Sequence, residues 1–387
     1  MAMMERILRL MAEQKASDLY LSSNAPATLR INGLCVAVNA QVLPFDAPRS
    51  LLAEVLPPLR MEELDEKGEL NVGFAMKDVG RFRVSAMRQR GAIAVVIRHI
   101  HSEIPPLDTL NLPPVMADLI MERRGLILMV GATGAGKTTT LASMIDHRNT
   151  HHTGHILTVE EPIEFLFRNK RSIVNQREVG VDTASLQVAL KNALRQAPDV
   201  ILIGEIRDRD TMSAAIAYAQ SGHLCLATLH ASNSYQALNR ILSFYPAEVR
   251  HTLLGDLASS LKAVVSQRLL RTMAGGTRMP AVEVMLNTKL VADLIERGDF
   301  SAVQHAMEKS IAEGSQTFEE DIARLITSGV VDRREGMVHA DSPTNLLWRL
   351  QNDFTMASRA AAEASAAQDA DDDAPSFTEI TLDVRTS

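Results

Sequence analysis

Residues 131–138 read Gly-Ala-Thr-Gly-Ala-Gly-Lys-Thr, a match at every position to the pattern G-x-x-x-x-G-K-[ST]. The apolar run at residues 126–130 favours a strand buried on both faces, and residues 139–145, without glycine or proline, favour a helix. Between them, glycines allow backbone N–H groups to surround phosphate oxygens, and the helix N-terminus adds positive charge. This context predicts a nucleoside triphosphate site rather than a glycine-rich turn that binds nothing.

The residue types within this loop assign separate tasks in binding. We expect Lys137 to reach the outer phosphates and the Thr138 hydroxyl to ligate Mg²⁺. The residues predicted to hold the nucleotide are Gly131, Ala132, Thr133, Gly134, Ala135, Gly136, Lys137, Thr138, Thr139 and, from another strand, His230.

Composition restricts the class of protein. With 387 residues the chain is long enough for two or three domains, and its charged fraction of 22% is that of an ordinary globular protein. A net charge of −7 argues against a nucleic-acid partner, and two distant cysteines, Cys35 and Cys225, exclude a cysteine-rich zinc site. Without a bilayer-length apolar run or a signal-peptide pattern at the start, we expect a soluble cytoplasmic protein.

Residues 1–100 have the pattern of a separate α/β unit. The Asn32-Gly33 pair between residues 28–31 and 34–38 indicates a hairpin. Three alternating strands follow, turned by Gly80 and Gly91. This segment carries an unusual number of arginines: Arg81, Arg83, Arg88, Arg90 and Arg98. Four prolines then mark residues 101–114 as a linker.

Beyond the linker, strands and helices alternate as in a parallel sheet covered by helices. A long amphipathic helix is predicted at residues 248–268, followed by further helices to about residue 353. Residues 357–387 carry seven acids against two arginines and are predicted to be a disordered tail. The predicted strands and helices of the core are 155–159, 184–196, 200–203, 210–220 and 224–229.

Three groups of polar residues follow predicted core strands. Glu205, after residues 200–204, is long enough to orient a water molecule against a γ-phosphate. Glu160, Glu161 and Glu164 crowd the end of another strand, which favours a cation or water site over a solvated acidic loop. His230 lies at the ligand-facing end of a strand and suits a phosphate sensor.

These groups resemble, in order and spacing, the secretion/pilus superfamily of traffic ATPases. The resemblance covers roughly residues 5 to 345, and within the superfamily the chain is most similar to the PilT/PilU family of type IV pilus retraction motors, in particular its PilU branch. Pilus assembly and secretion ATPases, which usually carry a four-cysteine zinc motif, are an alternative. The matching blocks are GATGAGKTTT, LTVEEPIEF, VNQREV, APDVILIGEIRD, GHLCLATLH, FYPAE and VVSQRL.

The resemblance implies an α/β fold with a RecA-like P-loop ATPase core and a smaller N-terminal PAS-like α/β domain. It implies Glu205 and Glu164 as catalytic acids, both near Mg²⁺. It also implies that Arg83 and Arg98, with Arg81 as a further candidate, complete the site, which we expect to be shared between neighbouring subunits. The implied domain limits are 1–100 for the N-terminal domain, 101–114 for the linker, 115–290 for the ATPase domain, 291–356 for a C-terminal helical part and 357–387 for the tail.

The implied activity is ATP hydrolysis by a homohexamer that retracts pili for twitching motility. The implied partners are a PilT-type motor and a pilus platform protein at the inner membrane. A retraction motif of PilT-type motors aligns with residues 290–297, where Ala292 replaces an arginine and Glu296-Arg297 reverses an Arg-Glu pair. These changes favour an accessory motor. An ATP-binding scaffold with little turnover and a DNA translocase are the rival interpretations.

Overall fold

The computed structural model describes residues 2–31, 33–77, 79–100, 103–309 and 312–352. Within these residues two β-sheets form, each covered by helices, which confirms the α/β class. The tail at 357–387 and Asn32 of the predicted hairpin lie outside the described residues. The domain limits given above stay a prediction. Among the described residues, no helix is both long and apolar enough to cross a membrane.

The first sheet is antiparallel and has six strands in the order β3-β2-β1-β6-β5-β4. The three alternating strands predicted between residues 70 and 97 are confirmed as β4, β5 and β6, and Gly91, with a φ of +83°, supplies the turn before β6. Strand β1 and helices α2 and α3 were not predicted. The elements are α1 (Met3–Glu13), β1 (Asp18–Leu21), β2 (Pro26–Ile31), β3 (Leu34–Val42), α2 (Ala47–Ala53), α3 (Pro58–Lys67), β4 (Glu69–Met76), β5 (Gly80–Gln89) and β6 (Ala92–Ile100).

Side chains along β5 point alternately to the two faces of this sheet. Phe82 and Val84 are fully buried beneath the helices, and Arg81 and Arg83 point to the opposite face. Residues 103–114, within the predicted linker, lie against the second part of the chain: the Ser143 hydroxyl donates to the Pro105 carbonyl at 2.7 Å.

The second sheet has seven strands in the order β13-β12-β7-β11-β10-β8-β9, parallel except for β13. The predicted strands at 155–159, 200–203 and 224–229 are confirmed as β8, β10 and β11. The elements that form or cover the sheet are α4 (Val115–Met121), β7 (Gly125–Val130), α5 (Lys137–His151), β8 (Gly154–Glu160), β9 (Ser172–Glu178), α6 (Leu186–Ala193), β10 (Val200–Ile203), α7 (Arg209–Gln220), β11 (Leu224–Leu229), α8 (Ser234–Ser243), α9 (Arg250–Ser260), β12 (Leu261–Arg271) and β13 (Arg278–Leu286).

Strand β7 lies inside this sheet between β11 and β12, and all six of its residues are buried. Leu126, Leu128 and Val130 pack on one face, and Ile127 and Met129 pack on the other. The unbroken apolar run follows from burial on both faces, because a strand with one solvated face alternates instead.

The long helix predicted at residues 248–268 is wrong. Helix α9 ends at Ser260, and Leu261 begins strand β12, which pairs with β7 on one side and β13 on the other. Leu253, Leu257 and Leu261 keep helical spacing across this boundary and so conceal it. Val264 and Val265 are both fully buried, as expected for β-branched residues of an inner strand.

The C-terminal part was predicted to be helical, and this holds only after β13, which belongs to the second sheet. The helices that follow are α10 (Lys289–Arg297), α11 (Phe300–Glu308), α12 (Phe318–Thr327) and α13 (Arg333–His339). Helix α10 buries Val291 and Ile295 and leaves Glu296 and Arg297 exposed. Helix α10 therefore packs into the core through one apolar face.

Candidate active site

Residues 131–136 connect β7 to α5 in a curled loop. Gly131, Gly134 and Gly136 have φ angles of +153°, +79° and +87°, which residues with a side chain rarely adopt. The Lys137 ammonium donates hydrogen bonds to the carbonyls of Gly131 and Ala132 at 2.9 and 3.0 Å. The loop therefore wraps around the lysine, and the N-terminus of α5 opens at the same place.

Gln267 of β12 supports this loop from behind. Its Nε2 donates to the Ala135 carbonyl at 2.8 Å, and its Oε1 accepts from the Thr140 hydroxyl at 2.8 Å. A Cβ atom on Gly131 would lie 2.6 Å from the Gln267 carbonyl oxygen, and one on Gly136 would lie 2.7 Å from Gln267 Nε2. Both glycines are thus required by close packing as well as by backbone conformation.

The local sequence around Gln267 predicted no role for this residue. The available signal was a polar residue next to the apolar run of β12, since a buried glutamine in such a strand needs hydrogen-bonding partners.

A cleft of about 730 Å³ lies in front of the loop, at the carboxyl ends of β8, β10 and β11. Its size suits a small-molecule ligand such as a nucleotide. Gly131, Ala132 and Ala135 shape the loop without lining the cleft. The predicted site residues that line it are Thr133, Gly134, Gly136, Lys137, Thr138, Thr139, Glu164, Glu205, His230 and Arg98.

Glu205 contacts two nitrogen-bearing side chains at the end of β10. Its Oε1 lies 3.2 Å from His230 Nε2, and its Oε2 lies 2.8 Å from Arg207 Nη2. Arg207, which the sequence did not single out, also contacts Glu161 at 3.3 Å. Gly204 allows the end of β10 to lie close to the end of β8, because a Cβ atom there would lie 3.2 Å from the Glu160 Cα. The structure therefore brings Glu205 and His230 together, in a place where a phosphate would compete with the carboxylate for the Arg207 guanidinium and for His230 Nε2.

Burial and two nearby acids have opposite effects on the pKa of Lys137. Burial lowers the pKa of the lysine, and the carboxylates of Glu205 and Glu164 oppose that by favouring the ammonium form. The same acids that are candidates for catalysis thus help to keep the phosphate-binding charge in place.

The three clustered acids differ in environment. Glu160 is buried, and this burial raises the pKa of its carboxyl group; hydrogen bonds from the Thr158 hydroxyl at 2.6 Å and Gln176 Nε2 at 3.1 Å oppose the rise. Glu161 and Glu164 are exposed. Glu160 therefore serves as an internal hydrogen-bonding group, and Glu164 remains the candidate for chemistry.

The arginines of the first sheet differ in whether they reach the cleft. Arg98 lines the cleft of its own chain and pairs with Asp18 at 2.9 Å. Arg83 lies opposite Arg98 in the β5–β6 register, exposed but not among the lining residues. Arg81 instead forms an ion pair with Glu178 on β9. Because Arg98 reaches the cleft within one chain, the expected sharing between subunits is not needed to bring it there.

No group of three or more His, Cys, Asp or Glu residues in the described ranges has an arrangement that would hold a metal ion. His223, at the far end of β11, contacts the Ser221 hydroxyl at 3.0 Å, away from the cleft. The oxygen atoms of Thr138, Glu164 and Glu205 are nevertheless the donor type that Mg²⁺ prefers, usually with phosphates and water completing its shell.

Comparison with known proteins relates this site to a family. Residues 3–357 match the model of the family "Type II/IV secretion system protein". The chain is 44% identical over 342 residues to the type IV pilus ATPase PilU of Pseudomonas aeruginosa, which covers 88% of this chain and 90% of that protein. It is 34% identical over 339 residues to the type IV pilus retraction ATPase PilT of the same organism, covering 88% and 98%.

A solved structure resembles the whole two-sheet arrangement. The crystal structure of the pilus retraction motor PilT with bound ADP superposes with a TM-score of 0.83 at 35% identity, covering 89% of this chain and 98% of that one. The predicted fold class, a P-loop ATPase core with a smaller N-terminal domain, is confirmed.

The support that Gln267 gives to the loop is testable by Gln267→Leu, which keeps the size of the side chain. The Ala135 carbonyl and Thr140 hydroxyl would lose buried partners, so the free energy of unfolding should fall by about 1–3 kcal/mol. Affinity for ADP, measured by calorimetry, should fall about tenfold because the loop loosens. The control is Gln220→Leu, since Gln220 is an exposed residue bonded to Asp256. ADP affinity within about twofold of wild type in the Gln267 variant would contradict this role.

Proposed function

The chain belongs to the type II/IV secretion system protein family, and we propose that it is an ATP-hydrolysing motor for type IV pilus retraction and twitching motility. The observation that carries this proposal is the convergence of Lys137, Glu205 and Glu164 on one cleft beside a phosphate loop. Electrostatic stabilisation and positioning supply most of the catalysis in phosphoryl transfer, and these residues fit such a task.

Each residue has a role in hydrolysis. Lys137 binds the outer phosphates, and the backbone N–H groups of residues 131–136 surround them. Glu205 orients the attacking water, with Glu164 as the second catalytic acid. Arg98, helped by Arg83, neutralises charge on the phosphates, and His230 senses the γ-phosphate through its contact with Glu205.

Mg²⁺ fits the donor set of this cleft. Thr138 would hold it through its hydroxyl, with Glu164 and Glu205 nearby as carboxylate oxygens. When bound, the ion supplies charge neutralisation for the β- and γ-phosphates.

The assembly we propose is a homohexamer in the cytoplasm, peripheral to the inner membrane through the pilus machinery. Its partners are a PilT-type motor and the pilus platform protein. Support comes from the similarity to PilU and PilT over most of their length.

The accessory role rests on helix α10. Its buried residues keep the packing face, and its exposed positions carry Asp293, Glu296 and Arg297. Reversed charges on a working surface change which partner is attracted. This motor therefore adds force to a PilT-type hexamer instead of retracting pili alone.

Two variants separate nucleotide binding from hydrolysis. Lys137→Ala should weaken ATP binding by about tenfold or more, because a buried positive charge on the phosphates is lost. Glu205→Gln should bind ATP with near wild-type affinity and hydrolyse it about a hundredfold more slowly, because shape survives and the carboxylate does not. Binding of a fluorescent ATP analogue and phosphate release measure the two quantities. Equal loss of nucleotide binding in both variants would contradict the separate roles.

Twitching assays test the accessory role. In a strain that lacks its PilT-type motor, overproduction of this protein should not restore twitching, although the purified protein hydrolyses ATP. In a strain that has the motor, loss of this protein should reduce the load against which pili retract. Overproduced Lys137→Ala protein is the control. Robust retraction without the PilT-type motor would show that this motor acts independently.

A further inference from the structure

One ion pair connects the two sheets close to the cleft. Arg81 on β5 bonds through Nη2 to Oε2 of Glu178 at the end of β9, 97 residues further along the chain. Their side chains are only 17% and 5% exposed. Among ion pairs between described residues, this pair alone links residues before 100 to residues after 115.

The same Glu178 oxygen also holds the loop that carries Glu164. Glu178 Oε2 accepts a hydrogen bond from the Ile163 backbone N–H at 3.2 Å. A second β9 side chain, Gln176, accepts from Phe167 N at 2.9 Å and donates to the Phe165 carbonyl at 2.8 Å. Residues 161–167 are therefore held against β9 by hydrogen bonds to two of its side chains. One of these two, Glu178, is also bonded to the first sheet.

Gly73 on β4 allows this close approach. A Cβ atom there would lie 3.2 Å from Glu178 Oε1 and 3.3 Å from Arg81 Nη2, closer than side-chain contacts usually come. The absence of a side chain thus permits Glu178 to reach the face of the first sheet. Removing either partner would leave the other charge uncompensated in a largely buried place, so the loss of one residue should weaken this contact between the two sheets.

We propose that Arg81 and Glu178 are a positioning pair through which the first sheet sets the position of Glu164. Neither residue lines the cleft, so the pair acts on the nucleotide through the Ile163 peptide and its neighbour Glu164. The inference rests on the proposed function for the catalytic importance of Glu164. It assigns Arg81 a task different from that of Arg98, which lines the cleft.

A displacement of a catalytic group by about 1 Å can cost about a hundredfold in rate. Arg81→Ala and Glu178→Gln should therefore each lower kcat about ten- to a hundredfold. Because neither residue contacts the nucleotide, KM for ATP should stay within about twofold. The double variant should lose no more than the worse single variant, since both act through one contact.

Hydrogen exchange of the full-length protein gives a readout that does not depend on hydrolysis. In both single variants, amides of residues 161–167 should exchange about tenfold faster, and those of residues 126–130 should not change. Arg81→Lys should restore slow exchange, because the contact is a single N–H···O bond that an ammonium can also make. Arg81→Gln, which keeps a donor without the charge, serves if the alanine variant does not fold. The control Arg49→Ala removes an exposed pair with Asp65 on the first part of the chain.

Two results would overturn the proposal. Unchanged exchange at 161–167 in the Arg81 variants, with faster exchange in Glu178→Gln, would mean that Glu178 holds the loop without the first sheet. Faster exchange at 126–130 as well would mean that the pair only stabilises the fold. If exchange responds as expected and the wild-type protein does not hydrolyse ATP, the positioning pair stands and the proposed function fails.

Discussion

The packing of the phosphate loop against β12 constrains the rest of this structure. Gly131 and Gly136 pass so close to Gln267 that no side chain fits, and Gln267 in turn bonds the loop and helix α5. Strand β7 must then lie beside β12 in the interior of the sheet, which explains its burial on both faces. The cleft lies at this edge of the sheet, because the parallel strands end on the same side as the loop.

Around the loop, several ionisable side chains lie beside one another. Glu205 lies between Arg207 and His230, Lys137 lies near Glu205 and Glu164, and Arg98 is paired with Asp18. Bound phosphates would add negative charge to this set and redistribute those pairs. Residues of both sheets line the cleft, among them Arg98 of the first sheet, so a bound phosphate would meet side chains from both.

Much of this was predictable from local sequence. The phosphate loop, the strand before it and the strands that end at Glu205 and His230 are local patterns, and the structure places them as expected. The boundary between α9 and β12 was not predictable, because leucines at helical spacing continue across Ser260 into an inner strand. The contacts of Gln267 and Arg81 join residues that are 132 and 97 positions apart, so no local pattern could specify them.

We infer that this chain catalyses ATP hydrolysis with its own cleft. Steady-state phosphate release by the purified wild-type protein alone, followed over a range of Mg²⁺ concentrations, tests it most directly. We expect turnover in proportion to the amount of protein, abolished by chelation of Mg²⁺ and restored when Mg²⁺ is added back. ATP binding without turnover above the spontaneous rate would contradict it and identify the protein as a nucleotide-binding scaffold.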